Sequence, residues 1–374
     1  MPDTSLIPQT THDEQSLQDF VRDFRRYLKQ DVMPGIRQVY ENKVAPVHER
    51  ENGKAFEDYH EVRRAMLAND YYQFWSAMQR RSQEMMWESV ADPTERQLDE
   101  LIERTLKIAA ERPAGGSLEL DPELPVPRYH TAHDIHLQPG AYHTELTDDD
   151  VAAGAIYEAG LPIYIDGELG PENDRIGMAM IKFFENNFER AAPKRILDMG
   201  CTVGNSTLPW AAAYPDAEVH AIDVAAPCLR YAHAKAELAG LPVHYAQKNA
   251  ECTGYAAGSF DLVLSHIMIH ETSKSALGNI VRESYRLLKP GGIMLHLDVP
   301  RGHDPFGQFM SQWEVYNNNE VFAAYLTDVD LTALAVEAGF DADKTRMDGA
   351  PPYTGINHAY NTHGFKWPTL VGIK

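Results

Sequence analysis

The spacing of hydrophobic residues changes character about halfway along the chain. From Ser16 to about Ala110, apolar residues recur every three or four positions, which predicts amphipathic helices with one buried face. From Arg195 onward, short apolar runs alternate with segments of helical spacing, which predicts alternating strands and helices. We therefore expect a mainly helical N-terminal accessory domain, residues 1–112, and an α/β domain over residues 174–374.

Three helices are expected in the N-terminal domain, beginning near Ser16, Phe56 and Thr94. The second is predicted to continue to about Trp87 and the third to about Ala110. Such helices can form an accessory bundle, a dimerisation surface or a lid over a substrate, and their spacing leaves these roles open.

Proline and glycine recur through residues 113–173, which predicts a linker followed by a lid segment that folds over a ligand. Within it we expect Tyr157, Tyr164 and His143 to contact the substrate. The histidines of this segment are His130, His133, His136 and His143. Their spacing matches no familiar ligand pattern, so no metal is predicted, although distant histidine clusters could still meet in the fold.

The most informative stretch follows the apolar run 195–199, where the chain enters a glycine-containing turn and continues as a helix. Gly200 and Gly204 permit positive φ angles and a close approach of a ligand to the backbone. Asp198, at the strand end, would repel a phosphate and so favours a cationic or zwitterionic ligand over a dinucleotide. Asp223, at the end of the next apolar run, can accept both ribose hydroxyls of an adenosyl group.

The turn from Asp198 to Gly204 resembles motif I, D-x-G-x-G-x-G, of the Rossmann-like (class I) S-adenosylmethionine-dependent methyltransferases, with Thr202 in the second glycine position. Residues 260–266 resemble motif IV of this family, and residues 290–292 resemble the turn before its fifth strand. The resemblance covers roughly the last half of the chain. It implies a doubly wound, seven-stranded, mostly parallel sheet with an antiparallel last strand, and S-adenosylmethionine as the cofactor.

The resemblance also implies which residues meet the cofactor. Asp223 is expected to hold the ribose, and the Asn249 amide can contact the adenine where the family often has aspartate. A turn-forming role for Asn249 is the alternative explanation. The full expected set is Asp198, Gly200, Thr202, Gly204, Asp223, Val224, Asn249, Ala250 and Ser265.

Methyl transfer requires in-line approach of a nucleophile, and a hydroxyl acceptor also needs a general base. The ends of two later strands bring His266, His270 and Asp298 to the sheet edge that carries the glycine turn. His270 is the first choice for the base because it lies beyond the strand where the acceptor should sit, and Asp298 could orient it. Local packing of His270 is the alternative. His303, in the following loop, is expected to contact the substrate.

Charge and composition narrow the possible partners. The net charge of −21 argues against nucleic acid, because proteins that bind it neutralise phosphates with Lys and Arg. Three cysteines are too few for a disulfide framework. Neither a signal peptide nor a membrane-spanning run is evident, so we expect a cytoplasmic protein, with a possible homodimer through the N-terminal helices.

These observations predict an enzyme that transfers a methyl group from S-adenosylmethionine to a small organic acceptor. Oxygen is the expected acceptor atom because candidate bases are plentiful, while nitrogen, carbon and sulfur remain open. Two rival hypotheses are a non-catalytic protein that binds S-adenosylmethionine and an NAD-dependent oxidoreductase.

Overall fold

A computed structural model describes residues 6–111, 113–189, 191–353 and 366–374. The predicted domain boundary at residue 112 lies outside these ranges. The N-terminal part is helical throughout, with two π-helical turns at Leu28–Val32 and Tyr40–Val44. Its α-helices are α1 His12–Tyr27, α2 Met33–Val39, α3 Ala45–Asn52, α4 Tyr59–Met66, α5 Asp70–Arg96 and α6 Leu98–Glu111.

Side-chain caps explain where several of these helices begin. Thr11 and Glu14 form a capping box at α1, in which each side chain accepts a hydrogen bond from the other residue's backbone N–H. Asn69 caps α5, because its side-chain oxygen accepts from the backbone N–H groups of Tyr71 and Tyr72. The expected single helix from Phe56 to Trp87 is therefore wrong: α4 ends at Met66, and α5 begins afresh after this cap.

The rest of the chain builds one sheet with helices between its strands. Its strands are β1 Ser117–Glu119, β2 Arg195–Met199, β3 Glu218–Asp223, β4 Val243–Gln247, β5 Phe260–His266, β6 Leu288–Leu297, β7 Arg346–Ala350 and β8 Trp367–Ile373. Its α-helices are α7 Arg128–Thr131, α8 Ala152–Tyr164, α9 Arg175–Asn187, α10 Thr207–Ala213, α11 Ala226–Ala239, α12 Lys274–Leu287, α13 Pro305–Asn317 and α14 Leu331–Ala338. Short 3₁₀ turns lie at Ile135–Leu137, Ile269–Glu271, Ala323–Asp328 and Ala342–Lys344.

The strand order is β1-β4-β3-β2-β5-β6-β8-β7, and β8 runs antiparallel to both of its neighbours. This confirms a mostly parallel sheet with an antiparallel last strand. The described residues form eight strands rather than the expected seven, because residues 117–119 of the predicted linker pair in parallel with β4 at the sheet edge.

Helices bury both faces of the sheet, as the continuous apolar runs of its parallel strands require. On one face, Ile196 belongs to a core cluster with Phe184 of α9 and Trp210 of α10. On the other, Leu197 clusters with Leu277 and other residues of α12. Each fully buried side chain of this size stabilises the fold by about 1.5–3 kcal/mol. The strands β2 to β6 therefore end at one rigid edge, where the polar residues collect.

Helix α8 joins the N-terminal helices to the sheet domain. Ile156 packs with Trp87 of α5, and Ala155 packs with Tyr231 of α11. A β-carbon on Gly160 would meet the Trp87 ring, so this contact requires glycine. In the part of the chain that the structure describes, no helix combines the length and the apolar character that crossing a membrane demands.

Candidate functional site

A cavity of about 1140 Å³ opens at the carboxyl ends of β2, β3 and β5 and extends to the N-terminal helices. One end, which we call the glycine-turn end, is lined by Gly200, Thr202 and Asp223. The other, the histidine end, is lined by His136, His270 and Glu320. The cavity thus connects the predicted ligand turn with a group of titratable side chains.

The turn after β2 holds three residues in the left-handed region, Gly200 at φ 72°, Thr202 at φ 48° and Gly204 at φ 78°. A β-carbon on Gly200 would collide with the Met268 side chain, and one on Gly204 would lie 2.6 Å from the hydroxyl oxygen of Tyr245. Glycine is therefore required at both positions. Thr202 adopts the same conformation despite its β-branched side chain, which explains why glycine suits this position better.

Asp223 closes β3 and faces the turn. Its Oδ2 accepts a hydrogen bond from the Thr202 backbone N–H at 2.9 Å, and its Oδ1 accepts one from the Ala225 N–H at 2.9 Å. Desolvation raises the pKa of this carboxyl to about 6, although these backbone hydrogen bonds oppose the shift. Two backbone groups thus fix the carboxylate on the cavity wall, with lone pairs left for a ligand.

The remaining residues expected at the cofactor divide into two groups. Val224, Asn249 and Ala250 line the cavity. The Asn249 side-chain oxygen also accepts from the Glu251 N–H at 2.8 Å, so the residue organises its own turn as well. Ser265 is fully buried, and its hydroxyl is hydrogen-bonded to His296 Nδ1 at 2.7 Å, so its side chain belongs to the core rather than to the ligand site.

Asp198 lies beneath the turn and is almost entirely buried. Its Oδ2 accepts a hydrogen bond from the Thr207 hydroxyl at 2.6 Å. Its Oδ1 has no hydrogen-bond partner among the described residues and lies 3.5 Å from His266 Nδ1. Neither Asp198 nor Gly204 is part of the cavity lining, so the Asp198 carboxylate can act on the cavity only through its neighbours Thr207 and His266.

His266 ends β5 and lines the cavity. Its side chain is 5% exposed, and neither ring nitrogen has a hydrogen-bond partner within the described parts of the chain. With Asp198 beside Nδ1, an imidazole in this position can take up a proton at Nε2 and share the resulting charge with the carboxylate.

His270 follows one turn later and is held more tightly. Asp298 Oδ1 lies 2.6 Å from its Nδ1, and Asp298 Oδ2 accepts from its backbone N–H at 3.0 Å. Its Nε2 faces Glu320 Oε2 at 3.9 Å. Burial alone would lower the pKa of His270, but the carboxylates of Asp298, Glu320 and Glu271 outweigh it and raise the pKa to about 9.

Three further residues at the histidine end were not expected there: His136, Glu271 and Glu320. His136 Nδ1 lies 3.1 Å from Glu320 Oε1, and its Nε2 lies 3.2 Å from Glu271 Oε1. The Tyr142 hydroxyl donates to the same Glu271 oxygen at 3.2 Å. The only signal in the sequence was the histidine-rich segment that contains His136, and nothing pointed from it to residue 320.

Three of the four residues expected to contact the substrate line the cavity. Tyr157, Tyr164 and His303 line the cavity. His143 is not part of the lining; its ring centroid lies 5.4 Å from that of His130, which does line the cavity. Contact between His143 and the substrate therefore stays a prediction.

Sequence comparison places residues 196–292 within the family described as "Methyltransferase domain". The chain is 36% identical to a demethylmenaquinone methyltransferase of Thermus thermophilus over 127 residues, which cover 33% of this chain and 55% of that protein. It is 30% identical to a malonyl-[acyl-carrier protein] O-methyltransferase of Legionella pneumophila over 139 residues, 36% of this chain and 46% of that protein. The chain thus spans about half the length of these relatives.

Solved structures similar to this chain include phosphoethanolamine N-methyltransferase 2 of Haemonchus contortus with bound S-adenosylhomocysteine. It has 17% identity and a TM-score of 0.43, with 56% of each chain covered. The magnesium protoporphyrin IX methyltransferase of Synechocystis with bound S-adenosylmethionine has 12% identity and a TM-score of 0.37, covering 56% of this chain and 84% of that one.

Proposed function

We propose that this chain, which carries a Rossmann-like (class I) S-adenosylmethionine-dependent methyltransferase domain, methylates an oxygen atom of a small organic acceptor. The observation that carries the proposal is the single cavity that joins the glycine turn and Asp223 to buried histidines and carboxylates. Such an arrangement can hold a cofactor at one end and a polar acceptor at the other.

The glycine-turn end fits S-adenosylmethionine on three observations. Gly200 lines the cavity with bare backbone, and a β-carbon there would collide with Met268, which also lines the cavity. Asp223 is fixed by two backbone N–H groups and can accept the ribose hydroxyls. Asp198, buried beneath the turn, places a carboxylate close to this end, which suits a cofactor that carries positive charge. When bound, this cofactor supplies an electrophilic methyl group on a sulfonium centre.

The chain's own contribution to the chemistry is positioning and proton removal. The cavity walls align the acceptor oxygen with the methyl carbon and exclude water. The cofactor bound at the glycine-turn end would supply the methyl group and would leave with the electron pair of the carbon–sulfur bond. The proton of the acceptor hydroxyl then needs a base within hydrogen-bond reach.

We assign this base to His266 rather than to His270, the first choice from the sequence. Both ring nitrogens of His270 face carboxylates, with Asp298 on one side and Glu320 on the other. His266 has neither nitrogen hydrogen-bonded among the described residues and borders the turn that holds the cofactor. Asp198, 3.5 Å from Nδ1, can stabilise the imidazolium that forms.

The test combines binding and turnover in the full chain. Calorimetry with S-adenosylmethionine and with NAD, followed by incubation with panels of hydroxylated, amine, thiol and carbon-acid acceptors, separates the possibilities. We expect S-adenosylmethionine to bind and hydroxylated acceptors to gain a methyl group. Methylation confined to amines, thiols or carbon would refute oxygen as the acceptor atom. Binding without transfer to any panel would indicate a non-catalytic protein, and binding of NAD instead would favour the oxidoreductase.

Other expectations stay predictions. These are the exclusion of nucleic acid as a partner, a homodimer through the N-terminal helices, a cytoplasmic location and a lid function for residues 113–173. The proposed domain limits are 1–112, 113–173 and 174–374. The packing of α8 against both α5 and α11 supports a role for the middle segment in covering the cavity.

A further inference from the structure

We infer that His136, His270 and Glu320 form a binding site for one divalent transition-metal ion at the histidine end of the cavity. Each residue offers one ligand atom, and these atoms all lie within 4.8 Å of one another. At most 16% of any of the three side chains is exposed. The site itself follows from this geometry alone, whereas its use in holding the acceptor oxygen rests on the proposed methyl transfer.

The spacing of the ligand atoms suits a first-row metal. Glu320 reaches both histidines, with Oε1 3.1 Å from His136 Nδ1 and Oε2 3.9 Å from His270 Nε2. Bonds of about 2.0–2.2 Å in a tetrahedral site place ligand atoms roughly 3.3 Å apart. An ion between these side chains would therefore need only small rotamer adjustments.

The groups behind the histidines supply the outer shell that metal-binding imidazoles normally have. His270 turns Nδ1 to Asp298 at 2.6 Å, which leaves Nε2 directed at Glu320. His136 turns Nε2 to Glu271 at 3.2 Å, and its Nδ1 lies 3.1 Å from Glu320 Oε1 and 2.9 Å from the Asn318 amide nitrogen, so an ion bound at Nδ1 would displace the hydrogen bond from Asn318. Each imidazole thus has a carboxylate on its outer nitrogen, the arrangement that fixes its tautomer and makes the inner nitrogen a better donor.

His136 is held in place by distant parts of the chain. Its backbone adopts a left-handed conformation, φ 55°, and its carbonyl oxygen accepts from Trp87 Nε1 at 2.6 Å and from Gln83 Nε2 at 3.1 Å. Asn319 donates to the Asp134 carbonyl at 2.9 Å, which ties the same turn to the segment carrying Glu320. Unfavourable backbone conformations that the surroundings enforce in this way are concentrated at functional sites.

Two imidazoles and one carboxylate favour Zn²⁺, Mn²⁺ or Fe²⁺ over Ca²⁺ and Mg²⁺, which prefer all-oxygen sites. Three protein ligands leave at least one coordination position open, and all three residues line the cavity. A hydroxylated acceptor can occupy this position, which would fix its oxygen for in-line attack. The proton then goes to His266, which is not a ligand.

The experiment uses the full chain, stripped with a chelator and titrated calorimetrically with Zn²⁺, Mn²⁺ and Mg²⁺, with elemental analysis after dialysis. We expect one Zn²⁺ or Mn²⁺ per chain and little binding of Mg²⁺. His136→Ala and the shape-preserving Glu320→Gln should each weaken binding at least tenfold. His133→Ala, which changes a histidine of the same segment outside the cavity lining, is the matched control and should bind like the native chain.

Absence of transition-metal binding in the stripped native chain, or equal binding by native chain, His136→Ala and Glu320→Gln, would overturn the site. Circular dichroism and S-adenosylmethionine affinity of the same samples show whether each variant is folded and test the proposed function separately. If the metal binds but its removal leaves turnover of a hydroxylated acceptor unchanged, its role in holding the acceptor is refuted. Loss of turnover that Zn²⁺ or Mn²⁺ restores, at unchanged cofactor affinity, would support it.

Discussion

The glycine-turn end of the cavity is built from two consecutive βα turns, within residues 200–223, whereas the histidine end is built from side chains of three distant segments. Gly200, Thr202 and Asp223 lie on two consecutive βα turns, and the Thr202 N–H itself holds the carboxylate of Asp223. His136, His270 and Glu320 come together only in the complete fold. We therefore expect cofactor recognition to depend on local conformation, and acceptor recognition to depend on how the N-terminal half packs.

The largest effect on the glycine-turn end is expected from Gly200→Val. The valine side chain would collide with Met268, and its backbone would have to adopt a positive φ that valine disfavours. Cofactor affinity, measured by calorimetry, should therefore fall at least about a hundredfold. Gly254→Val is a matched control, because Gly254 has a similar φ of 74° but no atom lies within 4 Å of where its β-carbon would stand. The control should lose only stability, and equal loss of affinity in both variants would contradict the argument.

The next largest effect is expected from a change at His266, which should alter the rate of methyl transfer but not the affinity for the cofactor. His266→Gln should lower the rate of methyl transfer by about 10²–10⁴ while leaving cofactor affinity and metal content close to native, because a glutamine cannot accept the proton. Single-turnover kinetics with a hydroxylated acceptor provide the measurement. His303→Gln, another histidine of the lining, should change the Michaelis constant more than the rate of the chemical step. A His266 variant with the native rate would remove this residue from the mechanism.

A smaller effect depends on pH. The pKa of Asp223 is raised to about 6, so the carboxylate that accepts the ribose hydroxyls is charged above that pH and protonated below it. Cofactor affinity should therefore weaken as the pH falls through about 6. Asp223→Asn should bind at least about tenfold more weakly at pH 8 and lose this pH dependence. Calorimetry across pH 5 to 8 that gives parallel curves for the two proteins would contradict the assignment.

Thr202→Gly should have the smallest effect. Glycine adopts φ 48° without the strain of a β-branched residue but loses more backbone entropy on folding, and these contributions largely cancel. We expect the free energy of unfolding to rise by less than about 1 kcal/mol, with cofactor affinity unchanged. Denaturant titration measures the first and calorimetry the second. A large loss of affinity would mean that the threonine hydroxyl contacts the ligand.

The same contrast explains what could be predicted from the sequence. The apolar run 195–199 has the bounds of strand β2, and Asp223 ends the next strand as expected, because buried parallel strands appear as continuous apolar runs between turn residues. The three-residue strand β1 carries no such pattern. The break between α4 and α5 depends on one capping asparagine within an otherwise continuous helical spacing.

The grouping of side chains at the histidine end could not be predicted from the sequence pattern, for a different reason. His270 was recognised because it follows a strand end, where ligands of such sheets bind. Nothing in the local sequence around His136 or Glu320 says that the two side chains meet, since they are joined only by long-range packing. The side chain of Ser265 faces the core for a similar reason: His296, on the neighbouring strand, provides its partner.

The pairing of β1 with β4 also determines when this edge of the sheet can form during synthesis of the chain. Ser117 and His244, which face each other across this edge, are 127 residues apart in the chain. At a synthesis rate of about 5–20 residues per second, roughly 6–25 seconds pass between the translation of the two. This edge of the sheet can therefore form only after β4 has been translated, long after the N-terminal helices have left the ribosome.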